Sequence, residues 1–403
     1  MSLTLITGGE IYSPEYLGKK DILIVNDKIL SIKENIENNL HKITSEIRII
    51  DATNCIIIPG FIDQHVHING AGGEGGPQYR TPPIQLSELI KAGVTSAIGL
   101  LGTDGVTRSL KDLLMKVRGL ENEGISAWMY TGAYQIPSPT ITGSVSSDII
   151  LIDKIIGVKI ALSDHRSSHP TIEEIRKIAS EARIGGILSG KAGIVHVHMG
   201  NEKSGISPIL KAIENTDIPI EQFTLTHLNR NKDLFNEAIE FGKSGGYIDI
   251  TSGVSPEHGF DEAIKPSEAI KILIKNNIPI EQITMSSDGN GSMPKFNKQK
   301  ELISILIAPV SSLYKEFVDT IIKEKIPIEY AIKITSTNIA KHLKLNQKGE
   351  IKPKKDADIL ILDKNTLQIK HVIAKGELLI KNSNIIKYGT FENRHIHRTI
   401  NSS

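Results

Sequence analysis

The sequence predicts an α/β protein, a (β/α)8 TIM barrel carrying a small β-sandwich built from both chain ends. Three observations carry this. Eight short apolar, β-branched runs alternate with amphipathic helical stretches across residues 59–345. Short strands separated by turn residues fill residues 1–58, and strands of the same style return over 346–392. Neither end piece has enough strands for a core of its own, so the two are expected to meet as one discontinuous unit. The 403 residues suffice for a barrel of about 250 residues plus a smaller unit.

Taken in order, "LTLITGG", "DILIVND", "KILSIKE" and "IRIIDA" read as the first strands, with Gly8-Gly9 and Asn26-Asp27 supplying turns. The barrel strands are "GFIDQHVHI", "VTSAIGLLGT", "ISAWMYTGAY", "IIGVKIAL", "GIVHVHMG", "FTLTHLN", "YIDITSG" and "ITMSSDG". Between them lie helices such as "IQLSELIKAG" and "TIEEIRKIASEAR", several ending at a glycine, as helix C-termini favour. Eight such units in this length argue for a closed barrel over an open sheet. "DADILILD", "IKHVIAKGELLI" and "NIIKYGTF" are the returning strands, and the tail "NRHIHRTINSS" (393–403) is expected to be disordered.

Bulk properties exclude several classes. A formal net charge of +1 gives no global field for nucleic acid or an anionic membrane. A single cysteine, Cys55, excludes an internal disulfide framework and fits a reducing, cytoplasmic compartment. The N-terminus lacks a basic n-region, and no run approaches about 18 consecutive apolar residues, so neither signal peptide nor membrane span is expected.

Active sites of such barrels sit at the C-terminal ends of the strands. The polar residues there are His65 and His67, Thr103, Tyr134, Lys159, His198, His227 and Asp288, and five of the eight strands offer a metal ligand. Taken singly, an H-x-H pair is more often two histidines satisfied by neighbouring backbone than a metal site. His196 lies deeper than His198 and reads as a hydrogen-bonded core histidine, and His395 and His397 as bystanders in the tail. Asp63 adds weight to the first pair. Lys159 lies inside an apolar strand, where an ammonium is costly. It either snorkels at an edge or is N-carboxylated by CO2 into an anionic oxygen ligand.

The stretch "GFIDQHVHINGAGGEGGP" poses a choice, because Gly70, Gly72 and Gly75 also satisfy the G-x-G-x-x-G spacing of a dinucleotide loop. Such a loop needs its last glycine to open a helix. Pro77, Pro82 and Pro83 argue against one. The glycines are therefore expected to form a flexible mouth loop presenting Glu74.

"PGFIDQHVH", the strand lysine, the two later strand-end histidines and "SSDG" resemble the amidohydrolase superfamily. More closely, "GLLGTDG", "TGAYQIPSPTITGSV", "DHRSSHPT", "VHMG", "THLNRN" and "SSDGNGS" resemble the bacterial isoaspartyl (β-aspartyl) dipeptidases, over nearly the whole chain. The resemblance implies two zinc ions per subunit. His65, His67 and Asp288 would hold one, His198 and His227 the other, with N-carboxylated Lys159 and a hydroxide bridging. It also implies a homo-oligomer, often an octamer, acting on a small dipeptide.

The charge inventory agrees. An isoaspartyl dipeptide carries an ammonium, which Glu74 can pair, and two carboxylates, which Arg166 and Arg230 can take in bidentate fashion. By resemblance, Thr103 and Ser292 complete that pocket. Asp288 is expected to shuttle the proton, and Tyr134 to donate to the oxyanion unless it is merely a packed aromatic. Two rivals stand beside this reading: a hydantoinase- or dihydroorotase-like hydrolase of cyclic amides, and a non-catalytic assembly protein that keeps the barrel.

Overall fold

Eight parallel strands form the central sheet, each pairing with its neighbour in chain order: β1 (Phe61–Val66), β2 (Val94–Gly99), β3 (Ser126–Gly132), β4 (Ile155–Leu162), β5 (Ile194–Met199), β6 (Phe223–Thr226), β7 (Tyr247–Thr251) and β8 (Ile283–Ser286). They coincide with the eight runs read from the sequence. The structure is a computed structural model that describes residues 2–36, 47–297, 299 and 301–392. The tail expected to be disordered lies outside the described residues.

The strands read as continuous apolar runs because helices cover their outer side. Helix Ile172–Ser189 shows how the local sequence sets its ends. Thr171 caps it, Glu174 closes the capping box, and Gly190 terminates it in the left-handed region. The barrel is nearly closed. Among the described residues β8 and β1 are joined by one parallel bridge, Val66 to Gly289, with His67 N–H donating to Gly289 C=O at 2.9 Å. The Asp63 side chain completes the seam. Its Oδ1 accepts from the backbone N–H of Ser287 at 3.1 Å and of His65 at 3.2 Å, and its Oδ2 from the Ser287 hydroxyl. Asp63 thus acts by fixing the strand that carries the histidines.

Strand β1 departs from strict alternation. Its ladder with β2 shifts register between Asp63 and Val66. Gln64 turns inward to donate to Asp249 Oδ1 at 2.7 Å, and the adjacent His65 also meets the interior, 2.8 Å from His196. Neighbouring residues on a regular strand point to opposite faces, so the irregularity is what admits both.

Both chain ends build two further sheets. One has four strands: Leu3–Thr7, Asp21–Val25, Lys28–Lys33 and Arg48–Asp51. The other has seven and mixes the ends, with Ile359–Asp363 antiparallel to Cys55–Pro59. Their packing follows period two. Ile57, Ile359 and Ile361 share a core with Ile6, Ile22 and Ile24 of the smaller sheet, whereas Ile56, Ile58, Leu360 and Leu362 turn to the barrel-side core. Three strands of the larger sheet escape a sequence reading. Glu10–Tyr12 and Tyr16–Lys19 are very short, and Cys55–Pro59 is buried throughout and runs into β1 across Gly60. "NIIKYGTF" contributes only Asn384–Ile385. A hairpin, Ser292–Phe296 with Leu302–Ile307, also rises unannounced beyond β8.

Candidate active site

The strand C-terminal ends open into a cavity of about 450 Å³ lined by, among others, Glu74, Tyr134, Arg166, His198, Arg230 and Asp288. His65, Lys159 and His227 are fully buried behind these residues. His65 and His67 converge on one oxygen, with Nε2 of each at 3.2 and 3.1 Å from Asp288 Oδ1. These donor atoms lie within 4.8 Å of one another, compact enough for one ion. The His227 ring stands 4.9 Å from His65 and 4.6 Å from His198. Its Nδ1 is engaged by Thr251 Oγ1 at 2.7 Å, which leaves Nε2 as its donor atom.

Lys159 sits level with Gly132 on β3 and His196 on β5. Its Nζ has only the His65 ring nitrogens at hydrogen-bonding distance among the described residues, 3.3 and 3.5 Å away. Burial pulls its ammonium down to about 7. Edge snorkelling is excluded at zero exposure. Burial likewise holds His65, His198 and His227 well below the ordinary imidazole range, so they stand neutral with a lone pair to give. For Asp288 burial works the other way, but the neighbouring His227 and His65 and the hydrogen bonds from His65 and His67 keep it ionised. Neutral imidazoles, an ionised carboxylate and a buried amine with no carboxylate at hydrogen-bonding distance among the described residues form a nitrogen and oxygen donor set that fits catalytic zinc. His67 Nδ1, buried without a hydrogen-bond partner among the described residues, belongs to the same cluster.

Next to this cluster lies a charged pocket. Glu74 Oε1 accepts from Thr103 Oγ1 at 3.1 Å and Ser292 Oγ at 2.9 Å, and lies 3.3 Å from Arg166 Nη1. Glu74 Oε2 is buried with no hydrogen-bond partner among the described residues. The glycine loop that presents Glu74 is no loose flap. Arg108, buried, donates to the carbonyls of Asn69, Ala71 and Thr81 and clamps both its ends. Gly72, at φ +87°, passes so close to Tyr79 that a Cβ would meet its carbonyl at 2.2 Å. Pro77–Tyr79 form a single 3-10 turn, and the first α-helix waits until Leu86.

The arginines differ from expectation. Arg166 has its Nε and Nη2 edge spent on Asp164, at 2.9 and 2.8 Å, so only Nη1 is left toward the pocket. Arg230 keeps one nitrogen, Nη1, on Met199 C=O at 2.8 Å and turns toward the cavity. It is the better bidentate partner for an incoming carboxylate. Tyr134 reaches His198 Nδ1 at 2.7 Å, and burial raises its hydroxyl, which therefore stays a donor.

The comparisons with known proteins point the same way. Residues 56–379 match the model of the amidohydrolase family. The chain belongs to the amidohydrolase family. Among solved structures, the β-aspartyl dipeptidase of Fervidobacterium islandicum AW-1 in complex with β-Asp-Leu dipeptide is 41% identical, covering 95% of this chain and 98% of its own, with a TM-score of 0.88. A second structure of that dipeptidase gives 40% and 0.86 over the same shares. A dihydropyrimidinase from Brevibacillus agri, 18% identical with a TM-score of 0.65, shares the fold. Among curated proteins, a dihydroorotase of Elusimicrobium minutum is 24% identical over 381 residues, covering 86% of this chain and 84% of its own.

In this amidohydrolase the twelve residues singled out from the sequence gather at one end of the barrel. Three supporting residues were overlooked there. Asp164 hid behind Arg166 in "DHR". Asp249 accepts from Gln64, Thr284, Thr226 and Ser286 and forms a polar layer inside the barrel. Thr251 holds His227. A buried aspartate inside "YIDIT" was the legible signal for Asp249. His196 is the core histidine expected, stacked on Tyr130 and bonded to His65.

Lys159 gives a stability prediction. Its ordinary value of 10.5 falls to about 7 in the fold, so between these values the unfolded chain binds a proton that the folded chain does not. Stability of the metal-free protein therefore rises with pH across this window. Lys159→Met removes the buried amine. Denaturant unfolding of metal-free protein should show the variant more stable by a few kcal/mol near neutral pH, with the advantage shrinking toward about pH 10. A constant difference across that range would contradict the assignment.

Proposed function

We propose that the chain is a zinc-dependent β-aspartyl (isoaspartyl) dipeptidase. Two zinc ions per subunit would be held by His65, His67, Asp288, His198 and His227, together with Lys159 as its N-carboxylate. That lysine forms when the neutral amine attacks CO2, making a C–N bond and releasing one proton. A zinc pair bound there would supply Lewis acidity, for a carbonyl and for a water near neutral pH. The residues of the chain do the rest. Asp288, ionised, takes the proton as the side-chain amide is attacked and returns it to the leaving amine. Tyr134, kept protonated, donates to the oxygen that gains charge. Glu74 pairs the substrate ammonium, while Thr103, Ser292 and Arg166 hold Glu74 in place. Arg230 and the remaining Nη1 of Arg166 take the carboxylates.

Glu74 carries this reading. A buried carboxylate with one oxygen engaged and the other without a hydrogen-bond partner among the described residues, in a cavity that two guanidinium groups also line, suits a zwitterionic peptide. A neutral ring, as in the dihydroorotase alternative, has no use for it. N-acetylation of β-aspartyl-leucine removes the ammonium, and the wild-type enzyme should then lose most of its kcat/KM. Glu74→Gln should impose a similar loss on the free dipeptide and little further loss on the acetylated one. Equal turnover of both peptides by wild type would reject the pocket assignment.

The resemblance extends to a cytoplasmic homo-oligomer, often octameric, with neither nucleic acid nor membrane as partner. Exposed Ile184, Ile187 and Leu188 along one helix support a contact between subunits. No helix among the described residues is long and apolar enough to cross a membrane.

A further inference from the structure

We infer that Asp164 is a positioning residue that sets two subsites at once: it orients Arg166 toward the ammonium-binding Glu74 and selects the tautomer of His198. The inference rests on the functional reading above. Asp164 stands two residues beyond β4, after Ser163 at φ +54°, and is 4% exposed. Its Oδ1 accepts from the Arg166 backbone N–H and Nε, both at 2.9 Å. Its Oδ2 accepts from Arg166 Nη2 at 2.8 Å and His198 Nε2 at 2.9 Å. Arg230 Nη1 lies farther off, at 3.9 Å. The carboxylate therefore receives four donors, about its full capacity.

The fold is shaped to admit this group. Gly200, just beyond β5, packs so closely that a Cβ there would lie 2.5 Å from both Cα and Cβ of Asp164. Any larger residue at 200 would push Asp164 off His198.

The consequence for His198 follows from valence. An ionised carboxylate only accepts, so Nε2 carries the hydrogen and Nδ1 keeps the lone pair. Nδ1 is the atom facing Tyr134 OH at 2.7 Å, on the cavity side. Asp164 thereby turns the lone pair of His198 to the place where a metal ligand is wanted, as carboxylates beside ligand histidines do. Arg230 Nη1, 3.4 Å from the same Nε2, is the weaker competitor. For Arg166, occupation of the Nε and Nη2 edge leaves Nη1 directed at Glu74 Oε1. A continuous polar chain, Glu74–Arg166–Asp164–His198–Tyr134, then joins the ammonium pocket to the metal cluster.

Asp164→Asn tests this without changing shape. The amide sets an NH2 group, which only donates, where two donors must be received. Either Arg166 turns away, or His198 accepts at Nε2 and moves its hydrogen to Nδ1, removing the lone pair from the cavity. Zinc binding is read by competition with a chromophoric chelator, kinetics with β-aspartyl-leucine, and folding by thermal melting. Wild type is expected to hold two zinc ions. The variant should weaken one of them by about 10- to 100-fold, leave the other unchanged, and raise KM. If the asparagine variant does not fold, Asp164→Ser, whose single, shorter-reaching oxygen cannot hold Arg166 and His198 together, takes its place with the same readouts. Unchanged zinc affinities with unchanged KM would overturn the inference, even with a lowered melting point, because that is a purely structural role. Wild type holding fewer than two zinc ions would overturn it too. Wild type holding two but inert on β-aspartyl peptides would defeat the functional reading instead, and the zinc competition would still decide the role of Asp164.

Discussion

Replacing Asp288 by asparagine is expected to lower kcat by roughly 10²- to 10⁴-fold, the usual range for loss of a proton-transferring group. The change is nearly isosteric but removes the anionic oxygen on which His65 and His67 converge, at 3.2 and 3.1 Å. Two losses should therefore appear together. A zinc held by the His65–His67 pair would bind more weakly, and the proposed proton acceptor would be gone. Kinetics at saturating zinc separate them: if activity returns in full as zinc is raised, Asp288 is a ligand only and moves no proton.

Tyr134→Phe should reduce kcat by about 10²- to 10³-fold while leaving KM within a few-fold, because an oxyanion donor acts chiefly in the transition state. The structure argues against a merely packed aromatic. The ring lines the cavity, Arg166 lies 5.5 Å over its face, and its hydroxyl is aimed at His198. Burial keeps that hydroxyl protonated, so no alkaline limb from Tyr134 should appear in the pH profile below about pH 10. An unchanged kcat in the phenylalanine variant would remove Tyr134 from the chemistry.

Much of the barrel was legible in the sequence because its strands are buried on both sides and read as unbroken β-branched runs. The proposed ligand positions were legible for a related reason. Histidine, lysine and aspartate are conspicuous at the ends of such runs. What escaped depends on departures from regularity. The bulge in β1 turns both Gln64 and His65 inward, and no alternation rule foresees that. The bidentate use of Arg166 was misjudged because "DHR" shows the arginine but not that Asp164, two residues earlier, folds back on it. The clamping of the glycine loop needed Arg108, remote in sequence and unremarkable in "TRSL". Short edge strands such as Glu10–Tyr12 carry too few residues for any period to show.

The central claim is that the charged pocket beside the histidine, lysine and aspartate cluster selects a β-linked aspartyl dipeptide. The measurement that tests it most directly is hydrolysis of β-aspartyl-leucine against α-aspartyl-leucine by zinc-loaded protein with bicarbonate present. Cleavage of the β-linked peptide alone is the predicted result. Cleavage of neither, by protein holding two zinc ions and active on a cyclic amide, would contradict it and move the chain toward the ring-opening amidohydrolases.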